Sequence, residues 1–402
     1  MAPPLVIAGN GIAARAAMAA ILARQPAAAI VQLAAEPDFY YRPLLPQLVA
    51  GTRTAADLAA VSCPAGPGIT RLHDRAVGLD AGARLVRTAA SGDIPYQRLL
   101  IATGSETVWP AIPGLGATSA VGLRTLADAE RLAGLAQAGQ RAVVIGGGLV
   151  GVKAGLALAA RGMMVSIVEV ADQLLPRRLD RQAAALVAAR LAAAGLSVRT
   201  GERVAEVLGE KGVRLASGEV LPATVLVVAA GARPALDWLA GSGLAVEGGI
   251  VVDDRLATSL PDVYAAGDVA ASRDLVTGRR STIGLWQAAQ AMGQAAGQVM
   301  AGGKGRYPGG LAVANATELA GLPVVALGAI DDEPPAGEVL REQHGEVYRK
   351  LVLAGDRLVG AVLTGAVERS GLYANLIASG RPVTPFLLPL RRGQLHAGHL
   401  LA

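Results

Sequence analysis

The sequence predicts an α/β chain with two dinucleotide-binding units of the Rossmann kind, followed by a C-terminal α+β domain. Three observations carry this prediction. An apolar run, a glycine-rich turn and an alanine-rich helical stretch follow one another twice, first at Val6-Ile7-Ala8-Gly9-Asn10-Gly11-Ile12-Ala13-Ala14 and again at Val143-Val144-Ile145-Gly146-Gly147-Gly148-Leu149-Val150-Gly151. The plan of strand, turn, helix and further strand around the first turn recurs around the second, as an internal duplication would produce. Beyond residue 310 the plan gives way to period-two alternation, as in Tyr348 to Leu353 and Leu358 to Leu363, which reads as a separate sheet-rich domain.

Glycine suits such turns because the backbone must bend sharply and approach a pyrophosphate closely. The helix after the turn offers free N–H groups and partial positive charge. One motif of this kind is weak evidence in an alanine- and glycine-rich chain. Two, each between a strand and a helix, imply two dinucleotides.

In chain order, residues 1–113 read as the first part of one unit. Ala28 to Leu33 is its second strand, Arg84 to Arg87 with Ser91-Gly92-Asp93 a small hairpin, and Arg98 to Ala102 a later strand ending in Thr103-Gly104-Ser105. Trp109-Pro110-Ala111-Ile112-Pro113-Gly114 stops regular structure and marks a boundary. Residues 114–244 form the second unit: strand Arg141 to Ile145, helix Leu149 to Arg161, strand Met164 to Val168, helix Asp180 to Ala194, strand Val225 to Ala230. Residues 245–309 return to the first unit, with a buried strand running into Gly267-Asp268 and a helix from Leu285 to Ala301. Residues 310–402 complete the chain as an interface domain.

At 402 residues the chain needs more than one core. No apolar run approaches the roughly 18 to 20 residues of a membrane-spanning helix. Met1-Ala2-Pro3-Pro4 leads into a strand without a basic, apolar leader, so a cytoplasmic location is expected. Cys63 is the only cysteine, which excludes an internal disulfide and a redox-active cysteine pair. The pI near 9.6 favours acidic partners. The basic residues are scattered and only four are lysines, with no interleaved aromatics, so nucleic acid is not expected. His396 and His399 have a spacing that a helix could use for metal, but no further ligand stands beside them and no metal site is expected.

The chain resembles the FAD-dependent pyridine nucleotide reductases, within them the NADH:rubredoxin reductase, ferredoxin reductase and nitrite reductase flavoprotein group. The markers are Tyr41-Arg42-Pro43-Leu44-Leu45, Ala102-Thr103-Gly104, Leu123 to Ala129, Leu174-Leu175-Pro176 with Leu179-Asp180, Thr258-Ser259 with Asp262 to Asp268, and Trp286 followed by Gly293. The resemblance implies that Gly9, Gly11, Ile12, Ala13 and Ala14 hold the FAD pyrophosphate. Ala102, Thr103, Gly104, Gly267 and Trp286 belong to the same site, and Val77 meets the adenine. Asp268 bonds the ribityl chain. Glu36 is the candidate for the adenosine ribose, against a reading as a surface acid, and Arg42 the candidate for the flavin or pyrophosphate, against a reading as a surface charge. Gly146, Gly148, Leu149, Val150, Gly151 and Gly231 would hold NADH. Glu169 ends a strand 23 residues after Gly146, where a carboxylate accepts from the ribose 2′-OH and repels a 2′-phosphate. Arg177 and Arg178 lie close enough in sequence to meet such a phosphate and weaken the preference.

Hydride transfer between stacked rings needs no protein nucleophile, because the cofactors carry the chemistry. One departure stands out. The related families place a glutamate two residues after the last motif glycine, near the flavin N5 and the nicotinamide. This chain has Lys153, which inverts the local charge if it stays at the ring and only snorkels to solvent otherwise. The leading functional expectation is an oxidoreductase passing electrons from NADH through FAD to a separate acceptor: an iron–sulfur or rubredoxin-like protein, or a subunit of a larger reductase. The C-terminal domain would carry the surface for that partner or for a second copy of the chain. Two alternatives remain: a type II NADH:quinone dehydrogenase, for which Phe39 to Gly51 and Pro385 to Arg392 speak, and a non-catalytic FAD-binding assembly protein.

Overall fold

The computed structural model describes residues 3–59, 63–311, 313–330 and 337–401. The elements used below are β1 (Leu5–Ala8), α1 (Ile12–Arg24), β2 (Ile30–Leu33), β3 (Ile69–Leu72), β4 (Arg98–Ile101), β5 (Arg141–Ile145), α2 (Leu149–Ala160), β6 (Met164–Glu169), α3 (Arg181–Ala193), β7 (Ser197–Thr200), β8 (Val225–Val228), β9 (Val263–Ala265), α4 (Trp286–Met300), β10 (Ala314–Leu319), β11 (Leu322–Gly328), β12 (Gly337–His344), β13 (Val347–Ala354), β14 (Arg357–Thr364) and α5 (Ser370–Ser379). The chain divides into two units. The first comprises Met1–Tyr41, Leu58–Glu106 and Arg233–Ala312; the second comprises Arg42–Asp57, Thr107–Ala232 and Val313–Ala402.

The first unit is built on a parallel sheet in the order β9-β4-β1-β2-β3. Its inner strands are short and mostly apolar because both faces are covered, so alternation is lost, while the edge strand β3 exposes Thr70 and Arg71. Val6, Ile7, Leu99 and Leu100 are fully buried. One covering layer is α1, whose alanines let α4 approach closely. A Cβ placed on Gly293 would stand 2.1 Å from the Ala13 carbonyl oxygen, and one on Gly297 2.3 Å from that of Ala17. Glycines four residues apart thus face alanines four residues apart along one contact line. Strands Ala76–Asp80, Leu85–Thr88 and Asp93–Pro95 form a small antiparallel sheet, so the expected hairpin has a third strand. Cys63 is half-buried against the core of this unit.

The second unit contains a parallel sheet in the order β7-β6-β5-β8, with α2 and α3 in its crossovers. It also contains the C-terminal antiparallel sheet β10-β11-β14-β13-β12, which α5 covers. Burial alternates only at the start of β13, where Tyr348 and Lys350 are buried around the half-buried Arg349; Leu351, Val352 and Leu353 are all buried. The tail from Pro385 to Arg392 is a 3₁₀ turn and the short helix Leu387–Arg391, with Pro389 in its first turn, so no long amphipathic helix forms there. Among the described residues no helix is long and apolar enough to cross a membrane.

Asp74 ties the small sheet of the first unit to the strand before it. Its carboxylate accepts the N–H groups of Arg75 at 2.6 Å, Ser91 at 2.7 Å and Ala90 at 3.1 Å. The Ser91 side chain and these amides hold its pKa well below the usual carboxylate range. Such a group stabilises the fold fully above its unfolded pKa of about 3.9 and loses that contribution as pH falls through the lower folded value. Melting curves should therefore show Asp74→Asn less stable than wild type at neutral pH, with the gap closing only in strong acid. A constant gap from neutral to strongly acid pH would refute this account.

Candidate nucleotide-binding sites

Each glycine turn sits at the carboxyl end of the central strand of its parallel sheet. In the first unit Gly9 has φ +132°, and a Cβ there would lie 2.1 Å from the Ala102 carbonyl oxygen. In the second, Gly146 has φ +111° and its Cβ would lie 2.3 Å from Ala229 O. Both positions exclude every other residue on backbone conformation and on space. Gly11 and Gly148 are the reverse case, for a Cβ on either meets nothing within 4 Å. They cap α1 and α2, and neither helix has a side-chain cap or an acidic residue in its first turn. Elsewhere the chain does cap helices. Thr125 and Asp128 form a capping box on Leu126–Leu135, and Asp180 accepts from Ala183 N–H at the start of α3. Open space in front of uncapped N–H groups is the arrangement that binds a pyrophosphate, so both turns fit one.

Around the first turn, Ala102, Thr103 and Gly104 follow β4. Gly104 has φ +72°, and the Thr103 hydroxyl donates to Ala235 O at 3.3 Å. Gly267 and Asp268 follow β9, and Asp268 accepts from the Ser105 hydroxyl at 2.8 Å. Glu36 follows β2 half-buried. Its carboxylate accepts from Tyr40 OH, and its carbonyl from the Asn10 side chain at 3.1 Å, so it stands at the glycine turn. Val77 is 49% exposed, an apolar side chain left open on its strand. Trp286 begins α4 and meets Tyr41 edge-on at 4.6 Å and Phe39 at 6.0 Å, with the Arg15 guanidinium 5.4 Å from the Phe39 ring. Arg42 is not grouped with these residues. It lies in the second unit, and its guanidinium donates to Arg124 O at 2.8 Å.

Sequence reasoning missed Gln32. It is fully buried on β2, and its amide donates to Gly9 O at 3.1 Å and Asn10 Oδ1 at 3.0 Å. The Arg71 guanidinium donates to its carbonyl at 3.2 Å. A glutamine within Ile-Val-Gln-Leu was the available signal, because a buried amide needs partners.

Around the second turn, Glu169 is the buried terminus of β6. Its two oxygens accept the N–H of Gly147 at 2.6 Å and of Ala171 at 2.8 Å. Leu149, Val150 and Gly151 form the first turn of α2, where Val150 is 46% exposed. A Cβ on Gly151 would lie 2.0 Å from Gly146 O, so this glycine lets the helix pack on the turn. Gly231 follows β8 with φ +128°. Lys153 is half-buried one turn into α2. Burial lowers its pKa, and the Glu318 carboxylate of β10 partly opposes the shift. Arg177 is exposed, whereas Arg178 faces a recess, and burial together with the Arg177 charge lowers its pKa. His396 and His399 stack with centroids 3.6 Å apart, and no cluster of three or more potential metal ligands occurs among the described residues.

Residues 3–293 match the model of the pyridine nucleotide-disulphide oxidoreductases. The chain belongs to that family. Residues 315–381 match the C-terminal domain of rubredoxin NAD+ reductases. Among curated relatives, the epsilon subunit of NADH-dependent phenylglyoxylate dehydrogenase from Aromatoleum evansii is 34% identical over 76% of this chain and 74% of its own length. The ferredoxin–NAD(+) reductase component of the biphenyl dioxygenase system of Paraburkholderia xenovorans is 36% identical over half of each chain. The nitrite reductase large subunit of Klebsiella oxytoca is 32% identical, but the match spans only 32% of its length. Of solved structures, a NAD-dependent persulfide reductase from A. fulgidus shares 26% identity at TM-score 0.85, covering 94% of this chain and 77% of its own. NADH:rubredoxin oxidoreductase from Clostridium acetobutylicum, at 23% identity and TM-score 0.79 over 98% and 99% of the two chains, shares the fold. As a member of this family the chain is an FAD-containing, NAD(P)H-dependent oxidoreductase, and its single cysteine gives it no redox-active disulfide.

The Gln32 network yields a test in the first unit. Gln32→Leu should lower stability by about 1–3 kcal/mol, because Gly9 O and the Asn10 side chain lose a buried partner, and FAD content should fall with it. Calorimetry and the flavin-to-protein ratio read both, and full FAD at wild-type stability would show that the turn does not need this support.

Proposed function

We propose that this oxidoreductase takes two electrons from NADH into FAD and delivers them to a separate one-electron carrier, an iron–sulfur or rubredoxin-like protein or a subunit of a larger reductase. The observation that carries the acceptor half is the match of residues 315–381 to the C-terminal domain of rubredoxin NAD+ reductases. In this reading residues 1–113 and 245–309 bind FAD, 114–244 bind NADH, and 310–402 form the interface domain, also the surface for a homo-oligomer. The enzyme would work in the cytoplasm, where NADH is regenerated. Among the described residues nothing favours the quinone or assembly readings. Anaerobic NADH should bleach the bound flavin, and rubredoxin or ferredoxin should restore its colour. A flavin that NADH leaves oxidised would overturn the proposal.

When bound, the two cofactors supply the hydride chemistry. The protein's part is binding, orientation and charge. Gly11 and Gly148 leave the N–H groups of α1 and α2 open to one pyrophosphate each. Asp268, Ala102, Thr103, Gly104, Gly267, Val77, Glu36 and Trp286 complete the FAD site, and Arg42, held by the Arg124 carbonyl of the second unit, is left out of it. Leu149, Val150, Gly151 and Gly231 complete the NADH site. Glu169 holds the turn through Gly147 and offers its remaining lone pairs to the ribose.

The buried Glu169 charge should favour NADH over NADPH by at least about tenfold in kcat/KM, about 1.4 kcal/mol. Arg178 faces the recess, so any offset comes from Arg177. Glu169→Gln should narrow the ratio by weakening NADH and relieving NADPH. Equal use of both nucleotides by the wild type would assign control to Arg177 instead.

Lys153 takes the position of the related families' glutamate, and a positive charge there should raise the flavin potential. Spectroelectrochemistry should find the potential of Lys153→Glu lower than that of the wild type. An unchanged potential would leave Lys153 a solvent-directed side chain.

A further inference from the structure

The segment between β6 and α3 leans on the second glycine turn. Leu175 N–H donates to Gly147 O at 3.0 Å, and a Cβ on Gly147 would stand 2.6 Å from a Leu174 methyl. Leu175 itself has φ +53°, a conformation that costs a non-glycine residue on the order of 1–3 kcal/mol and persists only where its surroundings impose it. Arg178 and Leu179 N–H both return to Leu175 O, at 2.8 and 3.0 Å, so the segment is one tight turn. Leu174, Leu175 and Leu179 are buried beneath it. Leu149, Leu175, Arg178 and Leu179 border a recess whose opposite wall includes Asn315 and Thr317 of β10, and Asn315 Nδ2 and Thr317 Oγ1 are buried there without a hydrogen-bond partner.

The turn leads directly into Asp180, and the C-terminal sheet holds this residue. One carboxylate oxygen caps α3 through Ala183 N–H at 3.0 Å. The other accepts from Tyr348 OH at 2.6 Å and lies 3.5 Å from Lys350 Nζ. Lys350 is fully buried on β13, next to Arg349, and its ammonium also donates to Ile330 O at 2.5 Å. Removing such a cation from water is unfavourable unless its partners are well placed, and replacing a buried pair with apolar residues is often neutral or stabilising. Docking of the sheet on α3 does not depend on it alone, because Arg190 pairs with Glu346 and Gln182 with Gln343 along the same helix.

We propose that Asp180, Tyr348 and Lys350 are a positioning clamp, through which the C-terminal sheet holds the Leu174–Leu179 turn, and with it the second glycine turn, in the geometry that binds NADH. This rests on the reading that the second turn is the NADH site. Residues of the C-terminal sheet thereby set nucleotide affinity without touching the nucleotide.

The test uses the full-length, FAD-loaded enzyme. Anaerobic stopped-flow reduction against NADH concentration separates the dissociation constant from the limiting rate. Tyr348→Phe, which keeps the ring, should raise the dissociation constant about threefold to thirtyfold, the range over which single substitutions in a coupling network act. The limiting rate and FAD content should not change. Lys350→Met should do the same if it folds; Tyr348→Phe decides the matter if it does not. Arg190→Ala weakens the docking contact away from the turn, so it should lower the melting temperature and leave NADH affinity unchanged. Wild-type affinity in Tyr348→Phe, or an equal loss in Arg190→Ala, would overturn the clamp. Gly148→Val tests the underlying reading. If it binds NADH normally, the second turn is not the NADH site and the clamp fails with that reading; if it abolishes binding while Tyr348→Phe has no effect, the clamp alone fails.

Discussion

A backbone turn with no room for a side chain heads each parallel sheet, and the same three contacts hold it in both units. The N–H of the first glycine donates to the carbonyl at the end of the next strand, Gly9 to Leu33 O and Gly146 to Val168 O, each at 2.8 Å. The strand on the other side donates back, Ala102 N–H to Ala8 O and Ala229 N–H to Ile145 O, again at 2.8 Å. The carbonyl of that same alanine fills the space where a Cβ would be. This contact requires β4 beside β1 and β8 beside β5. The strand order of each sheet and the glycine are therefore one constraint, and the open helix N-terminus is its consequence.

The two units support this common turn with different chemistry. In the first, a neutral amide does so: Gln32 reaches the Gly9 carbonyl and the Asn10 side chain, and Glu36 lies farther out with Tyr40. In the second, a carboxylate does so directly, because Glu169 receives Gly147 N–H from within β6. A buried anion hydrogen-bonded by backbone amides is a stronger and more demanding support than an amide. It also leaves a buried carboxylate at the end of β6, beside the glycine turn. One duplicated scaffold can thus present different electrostatics to two dinucleotides without a change in its backbone.

Much of this is legible in the sequence, because the signals are local. Glycines between an apolar run and an alanine-rich run announce strand, turn and helix within nine residues, and Asp180 three residues before Ala183 announces a cap. Period two in Tyr348 to Leu353 announces a sheet, though Leu351 and Leu353 are buried along with Tyr348, Lys350 and Val352. Gln32 and Lys350 escape notice for the same reason. A pattern of mostly apolar residues reads as core, and nothing local shows which distant carbonyl or carboxylate will satisfy the polar exception. Arg42 is the clearest case, since its partner is a backbone carbonyl 82 residues away.

The distribution of helix caps carries the argument one step further. A helix start with glycine in place of a side-chain cap forgoes a few tenths of a kcal/mol. This chain caps Leu126–Leu135 and α3 with side chains, whereas α1, α2, α4 and α5 have no side-chain cap, and of these only α1 and α2 start at a glycine. Sequence could have supplied a serine or aspartate at Gly11 or Gly148, where a Cβ meets no obstacle. Such a side chain would satisfy the N–H groups and occupy the space an incoming anion needs. Leaving both open makes part of each unit's stability conditional on its ligand, because binding to the folded state alone shifts the folding equilibrium by mass action. If the dinucleotides bind at these open helix starts as proposed, binding and folding are coupled at the same place.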